Sequence, residues 1–117
     1  MLSFKYRFHG RNSLRYIYKN GDTYRNQFFT LRFTHQPNRT TPRIAIVVSR
    51  KTAKRAVARN HIRRRMYELF RLELPKLAPT SNIACIIHLA EIDTLSHADL
   101  EKLLQSSLRQ ANLYKSP

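Results

Sequence analysis

Residues 28–35 alternate with period two. Phe29, Leu31 and Phe33 point one way; Phe28, Thr30, Arg32 and Thr34 point the other, which predicts a half-buried strand. Residues 43–49 are apolar on both faces, Ile44, Ile46 and Val48 against Ala45 and Val47, and read as a central strand. The prolines, threonines and Asn38 of 36–42 mark a surface turn, so the two strands are expected to form a hairpin with a long loop. Beyond Val57 the period changes. Ile62, Met66, Leu69 and Phe70 recur at helical spacing and form a buried stripe. Asn60, Arg64, Tyr67 and Arg71 fall on the opposite side, Arg63 and Arg65 flank the stripe, and Arg59 projects near it. This helix ends near Leu74, because Pro75 disfavours helix at the residue before it.

Residues 82–90 alternate once more, with Ile83, Cys85, Ile87 and Leu89 opposite Ala84, Ile86, His88 and Ala90. Ser96 then caps a last helix, with Asp99 three residues on and Leu100, Leu103, Leu104, Leu108 and Ala111 as its stripe. Ahead of these, Asn12 or Ser13 is expected to cap a short helix over 14–20 that Gly21 stops. Leu14, Ile17 and Tyr18 share a face of it, and 22–26 adds a short edge strand. Residues 1–10 are basic and aromatic and are expected to be partly ordered. The order is helix, two or three strands, basic helix, strand, helix. That predicts an α+β sandwich: one small sheet with helices packed on one face.

Length sets this as one domain over residues 1–117, with 42% hydrophobic residues for a single core. Charge changes the picture more. The net charge is +15, the range of a nucleic-acid binder. Residues 1–72 hold 18 Lys and Arg against Asp22 and Glu68, while residues 73–117 carry a net −1. The cations gather around the central helix: Lys51, Lys54, Arg55, Arg59, Arg63, Arg64, Arg65 and Arg71. Like charges four apart, such as Arg59 and Arg63, destabilise a lone helix by a few tenths of a kcal/mol. An external polyanion would relieve that repulsion. Arginine's planar fork grips two phosphate oxygens at once, which suits RNA.

Chemistry of the chain's own is harder to find. The acids do not pair near the basic face; Glu91, Asp93, Asp99 and Glu101 lie in the neutral third, apart from it in sequence. The five histidines lack metal-ligand spacing, though His61 and His88 could meet nucleic acid. Two glycines cannot build a phosphate loop, and Cys85, alone in an apolar run, reads as a small core residue. No apolar run is long enough for a membrane span, and residues 1–10 lack the apolar core of a signal peptide, so a cytoplasmic protein without membrane contact is expected. The chain reads as a binder. The face with Phe28, Thr30, Arg32 and His88 can stack or cradle single-stranded nucleic acid, although periodicity supports an ordinary solvent-facing sheet equally well.

Ser49-Arg50-Lys51, then Ala56-Val57-x-Arg59-Asn60-x-Ile62-Arg63-Arg64, then Glu68, resembles the signature of the protein subunit of bacterial ribonuclease P. The likeness runs through the first helix and Gly21, the Phe29-x-Leu31 strand, and the closing Leu113-Tyr114-Lys115. It implies an α-β-β-β-α-β-α order with a left-handed β-α-β crossover, against the usual hand. It implies a catalytic RNA partner whose bound magnesium ions cleave the 5′ leader from precursor tRNA, with no metal in the protein and no obligatory protein partner. Carried over by position, Lys51, Lys54, Arg55, Arg59, Asn60, Arg63, Arg64 and Arg65 would face the catalytic RNA. Leu14, Tyr18, Phe28, Arg32 and His88 would line a leader cleft. The chain departs from the family at His61 and Tyr67, often basic, at Leu14, often aromatic, and at His88, often arginine. Composition alone also allows a structural ribosomal protein or RNA chaperone, which would co-purify with ribosomal subunits. A DNA-binding module would prefer duplex DNA at fixed salt, but no helix-turn-helix spacing is evident.

Overall fold

The computed structural model describes Tyr6 and residues 11–115, the side chains of 11–13 excepted. The expectation for residues 1–10 otherwise lies outside the described residues. The chain runs α1 (Arg11–Asn20), β1 (Asp22–Arg25), β2 (Phe29–His35), β3 (Arg43–Val48), α2 (Ala56–Glu73), β4 (Ser81–Ile87) and α3 (His97–Gln110), with short 3-10 turns at Leu74–Lys76 and Ala90–Thr94. The α+β order expected from the pattern is present. α1 starts earlier than expected, so Asn12 and Ser13 sit in its first turn instead of capping it.

One sheet carries the fold, in the order β1-β2-β4-β3. β1 and β2 form a hairpin on a tight Asn26 turn, whose Oδ1 accepts from the N–H of Phe28 (2.8 Å) and of Phe29 (2.9 Å). The expected β2–β3 hairpin does not form. β4 lies between the two strands, antiparallel to β2 and parallel to β3. Pattern and loop length do not encode pairing partners. α2 returns the chain across the sheet, and β4, apolar on both faces, takes the central place. β3 is therefore an edge strand, not a central one. Its two-sided apolar character has another use: Ile44, Ile46 and Val48 enter the core, while Ala45 is buried on the other face.

Register places Phe29, Leu31 and Phe33 on one face with Ile83, Cys85, Ile87, Ile44, Ile46 and Val48. Ile62, Met66, Leu69 and Phe70 of α2 and Leu100, Leu104 and Leu108 of α3 cover that face. Tyr67, expected on the solvent side of α2, is only 9% exposed. Its hydroxyl accepts from the Ile46 N–H at 3.2 Å, on strand β3. A helical wheel with one apolar stripe misses this second contact, the open edge of a sheet that needs an acceptor. Ser96 caps α3 as expected, accepting from the Asp99 N–H at 3.1 Å. The helix ends on Asn112 at φ 62°, with Leu113 N–H bonded back to Leu108 at 3.0 Å, a Schellman closure.

α1 lies against the other face. Ile17 is 1% exposed yet stands outside the main core cluster. Arg32, on that face, donates to the carbonyls of Ile17 (3.4 Å) and Tyr18 and to Thr23 Oγ1 (2.6 Å), stapling helix to sheet. Gly21 makes the approach possible: a Cβ there would stand 2.5 Å from the Ile17 carbonyl oxygen and 3.1 Å from that of Phe33.

Candidate nucleic-acid interface

The basic helix begins with a loop that is itself built. Ser49 and Thr52 form a side-chain turn: the Thr52 N–H donates to the Ser49 carbonyl (3.1 Å) and hydroxyl (3.3 Å). The Thr52 hydroxyl donates in turn to the Ile87 carbonyl at the end of β4, at 3.2 Å. Ala53 is buried beneath the loop. Arg55, in extended conformation, caps α2 without a side-chain bond, and no acid stands in the first turn. The positive end of the helix dipole and the cations therefore add at one place. Arg50, Lys51, Lys54, Arg55 and Arg64 are exposed, and none pairs with an acid among the described residues.

Of the eight residues expected on this surface, Lys51, Lys54, Arg55, Asn60 and Arg64 stand exposed together, with Arg63 half-buried and bonded to Asn60 Oδ1. Two differ. Arg59 turns back, donating from Nη1 to the carbonyls of Ala53 (2.9 Å) and Lys54 (2.8 Å). The residue pattern left open whether the helix starts near Arg59 or the side chain reaches around an edge; the helix starts at Ala56, and Arg59 braces the loop before it. Arg65 is committed elsewhere. It donates to the Asp93 carbonyl (2.8 Å), Asp93 Oδ1 (3.1 Å) and the Leu95 carbonyl (2.8 Å). Its place beside the apolar stripe turns the guanidinium toward the 3-10 turn at Ala90–Thr94 and away from the exposed cations. Asp93 also pairs with His61 Nδ1 at 2.8 Å. Sequence position kept Asp93 away from the basic face; the turn after β4 delivers it there. No spacing signal could have shown that, since the contact spans thirty-two positions.

The second surface is the sheet face beside α1. Thr30 Oγ1 and His88 Nε2 lie 2.5 Å apart on it. Thr30 was not among the expected cleft residues, although its alternation placed it there. Val47 and Ile86 are half-buried partners in register on the same face. Leu14 is half-buried and Tyr18 exposed on α1, which packs across β2 and β4. Partial desolvation on α1 raises the pKa of the Tyr18 hydroxyl above its ordinary value. Arg32 is present but occupied with the carbonyls of α1. Phe28 departs further: it precedes the strand, and its half-buried ring packs against the main core cluster. The Asn26 turn breaks the alternation that had assigned it to the open face.

Among the described residues, no three His, Cys, Asp or Glu side chains converge to hold a metal ion, and no helix is long and apolar enough to cross a membrane. A four-stranded mixed sheet, two helices on one face, one across the other, and a cationic loop and helix at the edge define a small basic α+β domain. The sequence model of the family described as Ribonuclease P matches residues 2–112. A ribonuclease P protein component of Pseudanabaena sp. is 38% identical over 77 residues, 66% of each chain. The chain thus spans just under two thirds of that relative's length in the match. The ribonuclease P protein of Thermotoga maritima superposes with a TM-score of 0.77 at 26% identity, over 88% of this chain and 96% of that one. The one from Staphylococcus aureus gives 0.82 at 24% identity, over 94% and 98%, a likeness of fold. The chain belongs to the ribonuclease P protein family.

Proposed function

We propose that this chain is the RNA-binding subunit of ribonuclease P and helps a catalytic RNA remove the 5′ leader from precursor tRNA in the cytoplasm. Magnesium bound through the RNA supplies the hydrolytic chemistry. The protein's part is electrostatic and positional. Arg50, Lys51, Lys54, Arg55 and Arg64, with Asn60 and Arg63 beside them, take phosphates of the catalytic RNA. Thr30 and His88, with Leu14 and Tyr18 flanking them on α1, meet the single-stranded leader. The cations screen the repulsion between two polyanions that must lie side by side.

The observation that carries this reading is the exposed cation cluster, without acidic partners among the described residues, on a braced loop and the start of a helix. Affinity for the RNA is expected to fall steeply with salt, with a log–log slope of roughly −0.7 to −0.9 per phosphate neutralised. The test is cleavage of precursor tRNA at low magnesium by the RNA alone and by the RNA with added protein. A clear gain on adding protein supports the assignment; equal rates overturn it. Recovery of ribosomal RNA in place of one discrete RNA with the purified protein would point to the ribosomal alternative.

A further inference from the structure

One patch at the start of the basic helix is apolar. Val57 is 80% exposed in the first turn of α2. With Ala58 it lines an open depression of about 470 Å³, completed by Arg55, His61 and Asp93. The depression is wide and open to solvent, so it can take one face of a planar group without enclosing it. The surround is firmly built. His61 Nδ1 lies 2.8 and 3.0 Å from the two oxygens of Asp93, and Arg65 holds the same residue through its carbonyl and Oδ1. The Asp93 carboxylate is thus engaged, the imidazole plane is fixed, and Nε2 is its remaining polar atom.

We infer that this depression receives one unstacked nucleobase of the RNA bound along α2. Three features select that occupant. A molecule of net charge +15, with Arg55 on the rim, repels cationic ligands. The apolar part of its lining is aliphatic and exposed, so it favours a group that is flat and partly apolar. The flanking cations require that group to hang from an anionic backbone. A nucleotide joins all three: the base covers Val57 and Ala58 and stacks on the fixed His61 ring, while its phosphate meets Arg55. This deepens the proposed function and rests on it. It adds a contact that depends on the shape of the RNA and not on charge alone.

The experiment uses the full chain and the catalytic RNA, measuring affinity across a salt series together with chemical probing of base reactivity. His61→Ala should weaken binding about tenfold, within what one aromatic–base stack supplies, and Val57→Ser by a smaller factor. Neither should change the salt slope, because neither removes a phosphate contact. One nucleotide protected by the wild-type protein should become reactive with both variants. His61→Phe, which keeps a flat ring but loses the bond to Asp93 that fixes it, should restore part of the affinity. Arg55→Ala should lower the slope by about one. Thermal midpoints near wild type would confirm that these exposed positions leave the fold intact. If the wild-type protein binds the RNA but both variants bind equally well with no base changing reactivity, the base site is wrong and the proposed function stands. If the wild-type protein does not bind the RNA at all, both fall.

Discussion

Arg59 donates from one nitrogen to two carbonyls, those of Ala53 and Lys54, and so closes the loop that carries Lys51 and Lys54. Preorganising a loop raises affinity by lowering the ordering cost of binding, without adding a contact to the partner. Arg59→Ala should therefore weaken RNA binding by roughly tenfold while leaving the salt slope close to wild type. Lys51→Ala, at an exposed cation, should lower the slope by about one with a smaller loss at physiological salt. Arg109→Ala, at the far end of α3, should change neither. An Arg59→Ala slope reduced like that of Lys51→Ala would mean that Arg59 meets phosphate directly. At this scale the sequence told which residues carry charge but not which charges are free. Arg59, Arg63 and Arg65 are alike in the pattern; a bond to a backbone carbonyl or to a distant Asp93 separates them, and such partners have no fixed spacing.

Among the elements, the departure of α2 from its expected face comes from a neighbour the pattern cannot name. Tyr67 looked solvent-facing because a single stripe described α2, yet strand β3 at the sheet edge supplies a second contact. Tyr67→Phe removes the hydroxyl that accepts from the Ile46 N–H while keeping the ring, and should cost about 1–3 kcal/mol in urea unfolding. A cost near zero would show that water or another acceptor replaces the hydroxyl. α1 teaches a related lesson. Its apolar face and its stop at Gly21 are legible, but glycine is needed there because the backbone lies against both the last turn of α1 and strand β2. An alanine Cβ at this position would stand 2.5 Å from the Ile17 carbonyl oxygen, one turn back in α1, and 3.1 Å from the Phe33 carbonyl oxygen on β2, so Gly21→Ala must distort the end of α1 and shift it against β2. An overpacking cost of about 1–3 kcal/mol is expected, read from the shift in urea midpoint. Because α1 borders the surface proposed to meet the leader, the same variant should weaken leader-dependent cleavage more than cleavage of a substrate whose leader is too short to reach that surface.

For the molecule as a whole, the α+β class, the core stripes and the cap of α3 followed from periodicity, whereas the placement of β4 between β2 and β3 did not, since pairing across a helix is set by tertiary packing. The closure of the chain was equally hidden. Glu73 is 4% exposed at the end of α2, where its Oε1 accepts from the Tyr114 hydroxyl at 2.5 Å and its Oε2 from Gln105 Nε2 at 3.3 Å. Lys115 N–H completes the seam on the Lys76 carbonyl at 2.8 Å. One acid thus ties the last segment, α3 and the basic helix together, in the third of the chain where charge is balanced. Burial, then the bond to Glu73 and its negative charge, hold the Tyr114 hydroxyl well above its ordinary pKa. In the unfolded chain this tyrosine ionises near pH 10. Between that pH and its higher folded value, the unfolded state loses a proton that the folded state keeps. Stability from this group is therefore complete below about pH 10 and is lost as pH rises through the folded pKa. Tyr114→Phe should lower stability by about 1.5–3 kcal/mol at pH 8, because the lost hydrogen bond is to a buried, charged carboxylate. The gap between variant and wild type should narrow as the pH rises above 10. A gap that stays constant from pH 8 to 11 would show that the hydroxyl is not held by Glu73 in solution, and that the chain closes on buried Leu77 and Leu113 and the backbone bonds beside them.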